Sequence, residues 1–169
     1  MSFKIISRIF IILVIMVASF GCKDQNRIVL PVCEGAIALD QDGLQCIFNT
    51  DRPKVVTFSN MHCMQMIDLA LLQKQVNRNP DFDFLFYVLC DNDECRTMLE
   101  HFVHDNDLHI VLFIDRNDDY RRANNLQNSV SYSSVITGSN LSIYGVTMVG
   151  SPYSAFDNVI LEARARLNL

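Results

Sequence analysis

Cysteine is the residue type with the clearest chemical potential in this sequence, and one of the six cysteines stands out by its position. Cys63 lies in the stretch from Val55 to Met66, V-V-T-F-S-N-M-H-C-M-Q-M, where a short apolar strand ends and a helix is predicted to begin. The free N–H groups and the positive dipole end of a helix favour the thiolate, which is the nucleophilic form of cysteine. The pattern therefore predicts a nucleophilic thiol at residue 63.

The first 21 residues have the pattern of an export signal. Lys4 and Arg8 give a positive start, and the apolar run at 9–17 is too short to span a bilayer comfortably. The ending A-S-F-G-C resembles the lipobox of bacterial lipoproteins, and this resemblance implies that Cys22 is lipidated and anchors the protein to a membrane. An uncleaved membrane anchor and an ordinary secretory signal cut near Gly21 are the alternatives.

An exported, lipid-anchored chain is expected in the cell envelope, at the periplasmic or surface face of the outer membrane. Removal of the signal changes the formal net charge from −5 to −7, because it takes away Lys4 and Arg8 and no acid. No basic cluster is then left to attract nucleic acid, since the pairs Arg121–Arg122 and Arg164 with Arg166 are short and fit solvated helix faces. We therefore expect no nucleic-acid partner.

The export signal also determines the redox environment of the cysteines. Disulfides persist in oxidising compartments outside the cytoplasm. Without Cys22 the chain has five cysteines, and an odd number requires at least one free thiol or an intermolecular bond. Cys33 and Cys46 flank a predicted turn, D-Q-D-G at 40–43, and a structural disulfide between them is the favoured pairing.

Histidines suggest a metal site only weakly. His101 and His104 are spaced i, i+3 on a predicted helix, and His109 follows nearby. Exposed helical histidines are commoner than ligands, and the sequence has no C-x-x-C or H-E-x-x-H arrangement. We expect no metal and no cofactor.

Alternating strand and helix patterns predict an α/β sandwich with a mixed sheet. Strands are predicted over 27–32, 36–39, 45–48, 54–59, 82–90, 109–114, 132–137 and 142–149, and helices over 63–78, 93–104, 116–126 and 154–167. The predicted organisation is a signal peptide at 1–21, a tether with an N-terminal β extension at 22–50, and one domain at 51–169.

Order and spacing of these elements resemble the thioredoxin fold. The strand-to-helix signature of that family is F-W-A-x-W-C-x-x-C, and here F-S-N-M-H-C-M-Q-M occupies the same nine places, with Phe58 five residues before Cys63. The resemblance implies a thioredoxin-like α/β fold, in which a central mixed β-sheet is flanked by helices and carries a short N-terminal β extension.

A closer resemblance covers about 120 residues and involves the TlpA/redoxin-type thioredoxin-like lipoproteins of Bacteroidota-type bacteria. It is carried by Cys63 after its strand, the aromatic F-L-F at 84–86, Asp115 with a following Asn124 or Asn125, and a final V-T-M-V-G-S-P at 146–152. This resemblance implies a redox role in the envelope.

Two departures from the family pattern restrict the chemistry. Met66 stands in place of the second cysteine of the motif and is expected to pack beneath Cys63 as part of the core. The S-Y-S-S-V-I-T at 131–137 lacks the proline that the family carries in cis before this strand. A dithiol cycle therefore cannot close within the motif.

Cysteines outside the motif offer a second thiol. In the thioredoxin fold the strand at 82–90 runs beside the strand at 54–59, so Cys90 and Cys63 would emerge at the same carboxyl edge, and Cys95 follows on the next helix. Cys63 would then form a mixed disulfide with a substrate that Cys95 or Cys90 resolves, provided the Cα atoms come within about 7 Å. A structural Cys90–Cys95 disulfide beside a solitary Cys63 is the alternative.

Two functions remain open at this point. The first is an envelope protein of thiol–disulfide exchange whose partners are protein thiols or disulfides, with Cys63, Cys95 and Cys90 as catalytic residues. The second is a redox-inactive thioredoxin-like module that binds a partner protein at the former active edge.

Overall fold

The computed structural model describes residues 26–31, 36–37, 51–126 and 133–169. The signal peptide with Cys22, the strand at 45–48, the proposed Cys33–Cys46 disulfide and the family's proline position at 131 lie outside the described residues and stay predictions. No helix in the described part of the chain is long and apolar enough to cross a membrane.

From β2 onward, strands and helices follow the order that the sequence pattern predicts. The strand predicted over 27–32 is not formed in the described residues there, where Arg27 makes only an isolated bridge with Ser142. The strands are β1 (Ala36–Ile37), β2 (Lys54–Asn60), β3 (Asp83–Leu89), β4 (Val111–Asp115), β5 (Ser133–Thr137) and β6 (Ile143–Thr147). The helices are α1 (Met61–Met64), α2 (Leu69–Arg78), α3 (Asp93–His104), α4 (Asp119–Ala123) and α5 (Phe156–Leu167).

The described strands form one six-stranded sheet in the order β1-β4-β3-β2-β5-β6. Strands β2, β3 and β4 run parallel to one another, whereas β1 pairs with β4, β5 with β2 and β6 with β5 in the antiparallel sense. The predicted mixed sheet is confirmed, and β1 supplies the short N-terminal β extension on the outer side of β4.

Both faces of the central strands are covered, which is why β2 and β3 are apolar along almost their whole length. Helices α2, α3 and α5 pack on one face, around Val55, Phe86 and Val88. On the other face Tyr120 of α4 stacks on Tyr87 with ring centroids 4.7 Å apart. The sheet is therefore the rigid layer from which the candidate site projects.

Asn124 and Asp115, two residues of the sequence pattern, have structural roles. The buried Asp115 carboxylate accepts hydrogen bonds from the N–H groups of Asp119 and Tyr120, and so starts α4. The Asn124 amide bonds both the N–H and the carbonyl of Val29, at 2.7 and 2.8 Å. Asn124 thus fastens the N-terminal segment to the domain.

The helix predicted over 63–78 is not continuous, and that part of the prediction is wrong. It is split into α1 and α2, because the Asp68 carboxylate accepts a hydrogen bond from the Leu71 N–H and starts a second helix. Asn92 is the N-cap of α3, and its side chain accepts a hydrogen bond from the Cys95 N–H. The helix predicted over 116–126 is shortened to Asp119–Ala123.

The last helix is tied to the sheet by an ion pair. Arg164 of α5 donates to both carboxylate oxygens of Asp81, just before β3, and its guanidinium carbon lies 5.8 Å from the Phe82 ring centroid. Hydrogen bonding from Arg164 is the main reason that the pKa of Asp81 lies below its ordinary value.

We expect this ion pair to make stability depend on acid pH. Because the pKa of Asp81 is lowered in the folded state, the stabilisation is fully present above the unfolded pKa of about 3.9 and is lost as pH falls through the folded value. Both side chains are about one-third exposed, so screening limits the gain to below about 1 kcal/mol. Urea unfolding of the wild type and of Asp81→Asn at neutral and at acid pH measures it, and the difference seen at neutral pH should disappear as pH falls through the folded pKa of Asp81.

Asp51→Asn is the matched control, since Asp51 is exposed and forms no ion pair with any described residue. It should leave stability unchanged at both pH values. A difference between wild type and Asp81→Asn that is equal at both pH values would contradict the assignment.

Candidate functional site

The candidate site lies at the carboxyl edge of the sheet, where β2 and β3 end side by side. Their parallel register pairs Asn60 with Leu89. Cys63 follows three residues after Asn60, and Cys90 follows immediately after Leu89. The strand pairing thus brings both chain segments to one edge, as the sequence predicts.

Cys63 is a free, partly exposed thiol on the short helix α1. The Asn60 side chain caps this helix, and its Oδ1 accepts a hydrogen bond from the Cys63 N–H at 2.8 Å. Asn60 is therefore a positioning residue that sequence reasoning missed, although an asparagine between a strand and a helix is a typical N-cap signal. The thiol is held at a defined point of the edge and remains open to solvent.

Met66 is not packed beneath Cys63, and the prediction of a core position for it is wrong. Its side chain is 73% exposed. Because α1 ends at Met64 and the chain turns before α2, the buried positions are taken by Met64 and Ile67 instead. The residue in the place of the family's second cysteine therefore lies on the surface, one turn from Cys63.

Cys90 and Cys95 are joined in a disulfide, with Cα atoms 5.9 Å apart. Cys95 lies in the first turn of α3, where its N–H donates to Oδ1 of Asn92 at 2.8 Å. Of the three cysteines in the described residues, Cys63 is thus the free thiol, which is the alternative arrangement that the sequence left open. The catalytic roles of Cys63, Cys90 and Cys95 stay predictions.

A groove of about 460 Å³ separates α1 from the disulfide-bearing start of α3. Its apolar lining comes from Met61, Leu89 and Met98, and its polar lining includes the exposed acids Asp91 and Glu94. Cys95 and His62 also line it, on opposite sides. The groove has room for part of a polypeptide beside the disulfide.

The loop at 148–152 supports the break between α1 and α2. Gly150 accepts a hydrogen bond from the Asp68 N–H and donates its own N–H to the buried Gln75 side chain, at 3.0 and 2.7 Å. Gly150 has φ of +69°, and a Cβ there would lie 2.6 Å from Cγ2 of Ile67. This close approach needs glycine and fixes the chain that follows Cys63.

The two histidines of α3, His101 and His104, lie on its surface. His101 contacts Asp105 at 3.1 Å, and both side chains are largely exposed. Among the described residues no group of three or more His, Cys, Asp or Glu side chains is arranged to hold a metal ion.

Comparison with solved structures identifies the architecture. The chain superposes on a thioredoxin-like protein in its oxidised form with a TM-score of 0.62, at 9% identity, over 85% of this chain and 99% of that one. The fold is thioredoxin-like.

Two further thioredoxin-like structures superpose on this chain with lower TM-scores. StoA from Bacillus subtilis gives a TM-score of 0.51 at 13% identity, over 77% of this chain and 98% of that one. The thioredoxin domain of a thiol-disulfide oxidoreductase from Bacteroides vulgatus gives 0.51 at 15% identity, over 81% and 98%. No protein-family model and no curated protein matches the sequence.

We expect the cap at Asn60 to stabilise the turn that carries Cys63. Asn60→Ala leaves the Cys63 N–H without its acceptor and should lower the free energy of unfolding by about 1 kcal/mol. Asn60→Ser keeps an N-cap oxygen and is the matched control, with a loss of no more than a few tenths of a kcal/mol. Urea unfolding measures both, and equal stabilities of the Ala and Ser variants would contradict the cap.

Proposed function

We propose that this chain is a lipid-anchored, thioredoxin-like protein of the cell envelope that performs thiol–disulfide exchange with other proteins. The observation that carries the proposal is a free thiol, Cys63, at the same sheet edge as the Cys90–Cys95 disulfide, in a thioredoxin-like fold. A groove runs between helix α1, which carries Cys63, and the start of α3, which carries Cys95.

Reductive exchange is the reaction that this set of sulfurs supports best. In the reduced protein the Cys63 thiolate attacks one sulfur of a substrate disulfide, and one substrate thiolate leaves. The Cys95 thiolate then attacks the Cys63 sulfur and releases the second substrate thiolate. Attack by Cys90 on Cys95 forms the Cys90–Cys95 bond and frees Cys63.

Together these steps reduce one substrate disulfide and oxidise two thiols of the protein. Its end state has the pairing found here, with Cys90 bonded to Cys95 and Cys63 free. An external dithiol reductant returns the protein to its reduced form. The groove contributes by holding substrate chain between Met61 on one wall and Cys95 on the other.

A turnover assay tests Cys63 as the nucleophile. Wild-type protein should accelerate the reduction of insulin by dithiothreitol, and Cys63→Ser should return the rate to that of the reductant alone, because a serine hydroxyl cannot form the mixed disulfide. Cys95→Ser should accumulate a mixed disulfide between Cys63 and the substrate, which mass spectrometry detects. Cys90→Ser is the matched control, because the first resolving step remains possible in it.

Full turnover in Cys63→Ser would overturn the assignment of the nucleophile. Full turnover in Cys95→Ser, without any trapped species, would overturn the resolving role of Cys95.

A redox-inactive binding module is the second candidate, and the groove with its apolar lining and acidic residues is the observation that favours it. This candidate requires no turnover in the wild type and the same partner in envelope pull-downs with wild type and Cys63→Ser. The exchange function instead requires turnover in the wild type and loss of the disulfide-linked partner in the Cys63→Ser pull-down.

The lipid anchor is tested separately from the chemistry. Cys22→Ser removes the sulfur that would carry the lipid, so we expect the protein to move from the membrane to the soluble fraction on cell fractionation. Cys33→Ser is the control and should stay with the membrane. A Cys22→Ser protein that remains membrane-bound would indicate an uncleaved anchor instead.

A further inference from the structure

A second cavity, of about 420 Å³, lies at the carboxyl edge of the sheet. Strand β6 runs in the same direction as β2, because both pair with β5 in the antiparallel sense, so the chain that follows β6 emerges at this edge. The cavity lies between the start of α2 and the start of α5, and we call it the α2–α5 cavity. The exchange steps described above make no use of it.

Gln75 of α2 brings an amide donor without an acceptor to this cavity. The residue lines the cavity and is only 5% exposed. Its Oε1 accepts a hydrogen bond from the Gly150 N–H at 2.7 Å, which fixes which end of the amide is the oxygen. The Nε2 is the opposite end, and it has no acceptor among the described residues. Because a buried donor without a partner is costly, an oxygen atom of a ligand in the cavity would be stabilising.

The start of α5 adds further donors to the same cavity. Helix α5 has 12 residues, and its N-cap, Ala155, makes no side-chain cap bond. The helix bond that comes first runs from the Val159 N–H to the Ala155 carbonyl. The N–H groups of Phe156, Asp157 and Asn158 therefore have no acceptor in the described part of the chain, and all three residues line the cavity. These N–H groups and the positive end of the helix dipole favour an acceptor oxygen here.

Two carboxylates in the cavity disfavour a free anion as the ligand. Asp68 and Asp157 both line the cavity, and both are exposed. Oδ1 of Asp68 caps α2 by accepting from the Leu71 N–H, whereas its Oδ2 has no hydrogen bond to any described residue. A helix N-terminus offers only about half a positive charge, which two carboxylates outweigh. The cavity therefore suits a neutral ligand that both accepts and donates hydrogen bonds.

The main chain of a polypeptide has this combination of groups, since each residue other than proline carries one C=O acceptor and one N–H donor. A carbonyl oxygen in the cavity would satisfy Nε2 of Gln75 and the N–H groups of α5. A neighbouring N–H would then donate to Oδ2 of Asp68. Leu71 and Pro152 supply an apolar part of the lining for a side chain of the same segment.

We propose that the α2–α5 cavity binds the main chain of an extended polypeptide, with a carbonyl on Gln75 and the first N–H groups of α5 and an N–H on Asp68. This inference rests on the proposed function, because the polypeptide is the substrate of the exchange. The sequence at 131–137 lacks the proline that the thioredoxin family carries before this strand. The cavity supplies main-chain contacts for the substrate at another point of the edge that carries Cys63.

A binding titration without exchange chemistry tests the cavity. The probe is insulin B chain whose cysteines are carbamidomethylated, so it contains no thiol and no disulfide, and it carries a fluorescein label. The full chain is purified in detergent with its Cys90–Cys95 bond intact, and fluorescence anisotropy measures the affinity. In ¹⁵N NMR spectra of the wild type, the probe should shift the side-chain amide signal of Gln75 and the backbone signals of Phe156, Asp157 and Asn158.

Asp68→Asn is the decisive variant, because asparagine keeps the Oδ1 that caps α2 and replaces the acceptor Oδ2 with a donor. Loss of a hydrogen bond to a charged group should weaken binding of the probe by about tenfold. Asp51→Asn is the matched control: it makes the same change at an exposed residue that does not line the cavity, and its affinity should stay within about twofold of wild type.

Gln75→Glu keeps the oxygen that accepts from Gly150 and removes the Nε2 donor, so it should also weaken binding by about tenfold. Urea unfolding checks that this variant is folded, and Asp68→Asn decides alone if it is not.

Wild-type affinity in Asp68→Asn would overturn the proposal, as would probe binding that leaves the α5 and Gln75 signals unmoved. Inorganic phosphate is titrated in parallel. Phosphate that shifts these signals and binds Asp68→Asn more tightly than wild type would show an anion site instead.

The binding test is separate from the test of exchange. Cys63→Ser should bind the probe as the wild type does, so a failed insulin assay would leave a positive binding result standing. Loss of the cavity proposal would in turn leave the dependence of insulin turnover on Cys63 unaffected.

Discussion

The parallel pairing of β2 with β3 is the constraint on which the candidate site depends. Both strands are buried on both faces, so sliding one past the other would require a large apolar layer to be repacked. The register fixes Asn60 opposite Leu89. The free thiol that follows β2 and the disulfide that follows β3 are held at the same edge as a consequence.

The break between α1 and α2 determines which side chains near Cys63 are buried and which are exposed. Here Asp68 starts a new helix, and the bond from its N–H to Gly150 holds the break against the last hairpin. Ile67 packs into the core, while Met66 is left in solvent near a free thiol.

The proposed exchange depends on cysteines outside the motif. Met66 stands in place of the second motif cysteine, so the dithiol within the motif is lost. In the proposed exchange Cys63 is the nucleophile, and the oxidising equivalent passes to Cys90 and Cys95 at the start of α3.

The sequence by itself determined the alternation of strands and helices, the mixed sheet, the β extension and the position of Cys63 at the end of a central strand. These features follow from local patterns: apolar runs for doubly covered strands, and the aspartate and asparagine side chains that cap helices. Only the tertiary structure decided the pairing of Cys90 with Cys95, the split between α1 and α2 and the exposure of Met66. The disulfide joins residues only five positions apart and depends on the turn between β3 and α3. The helix break involves a contact between segments far apart in the chain, the hydrogen bond from the Asp68 N–H to Gly150, and helical periodicity alone carries no information about such contacts.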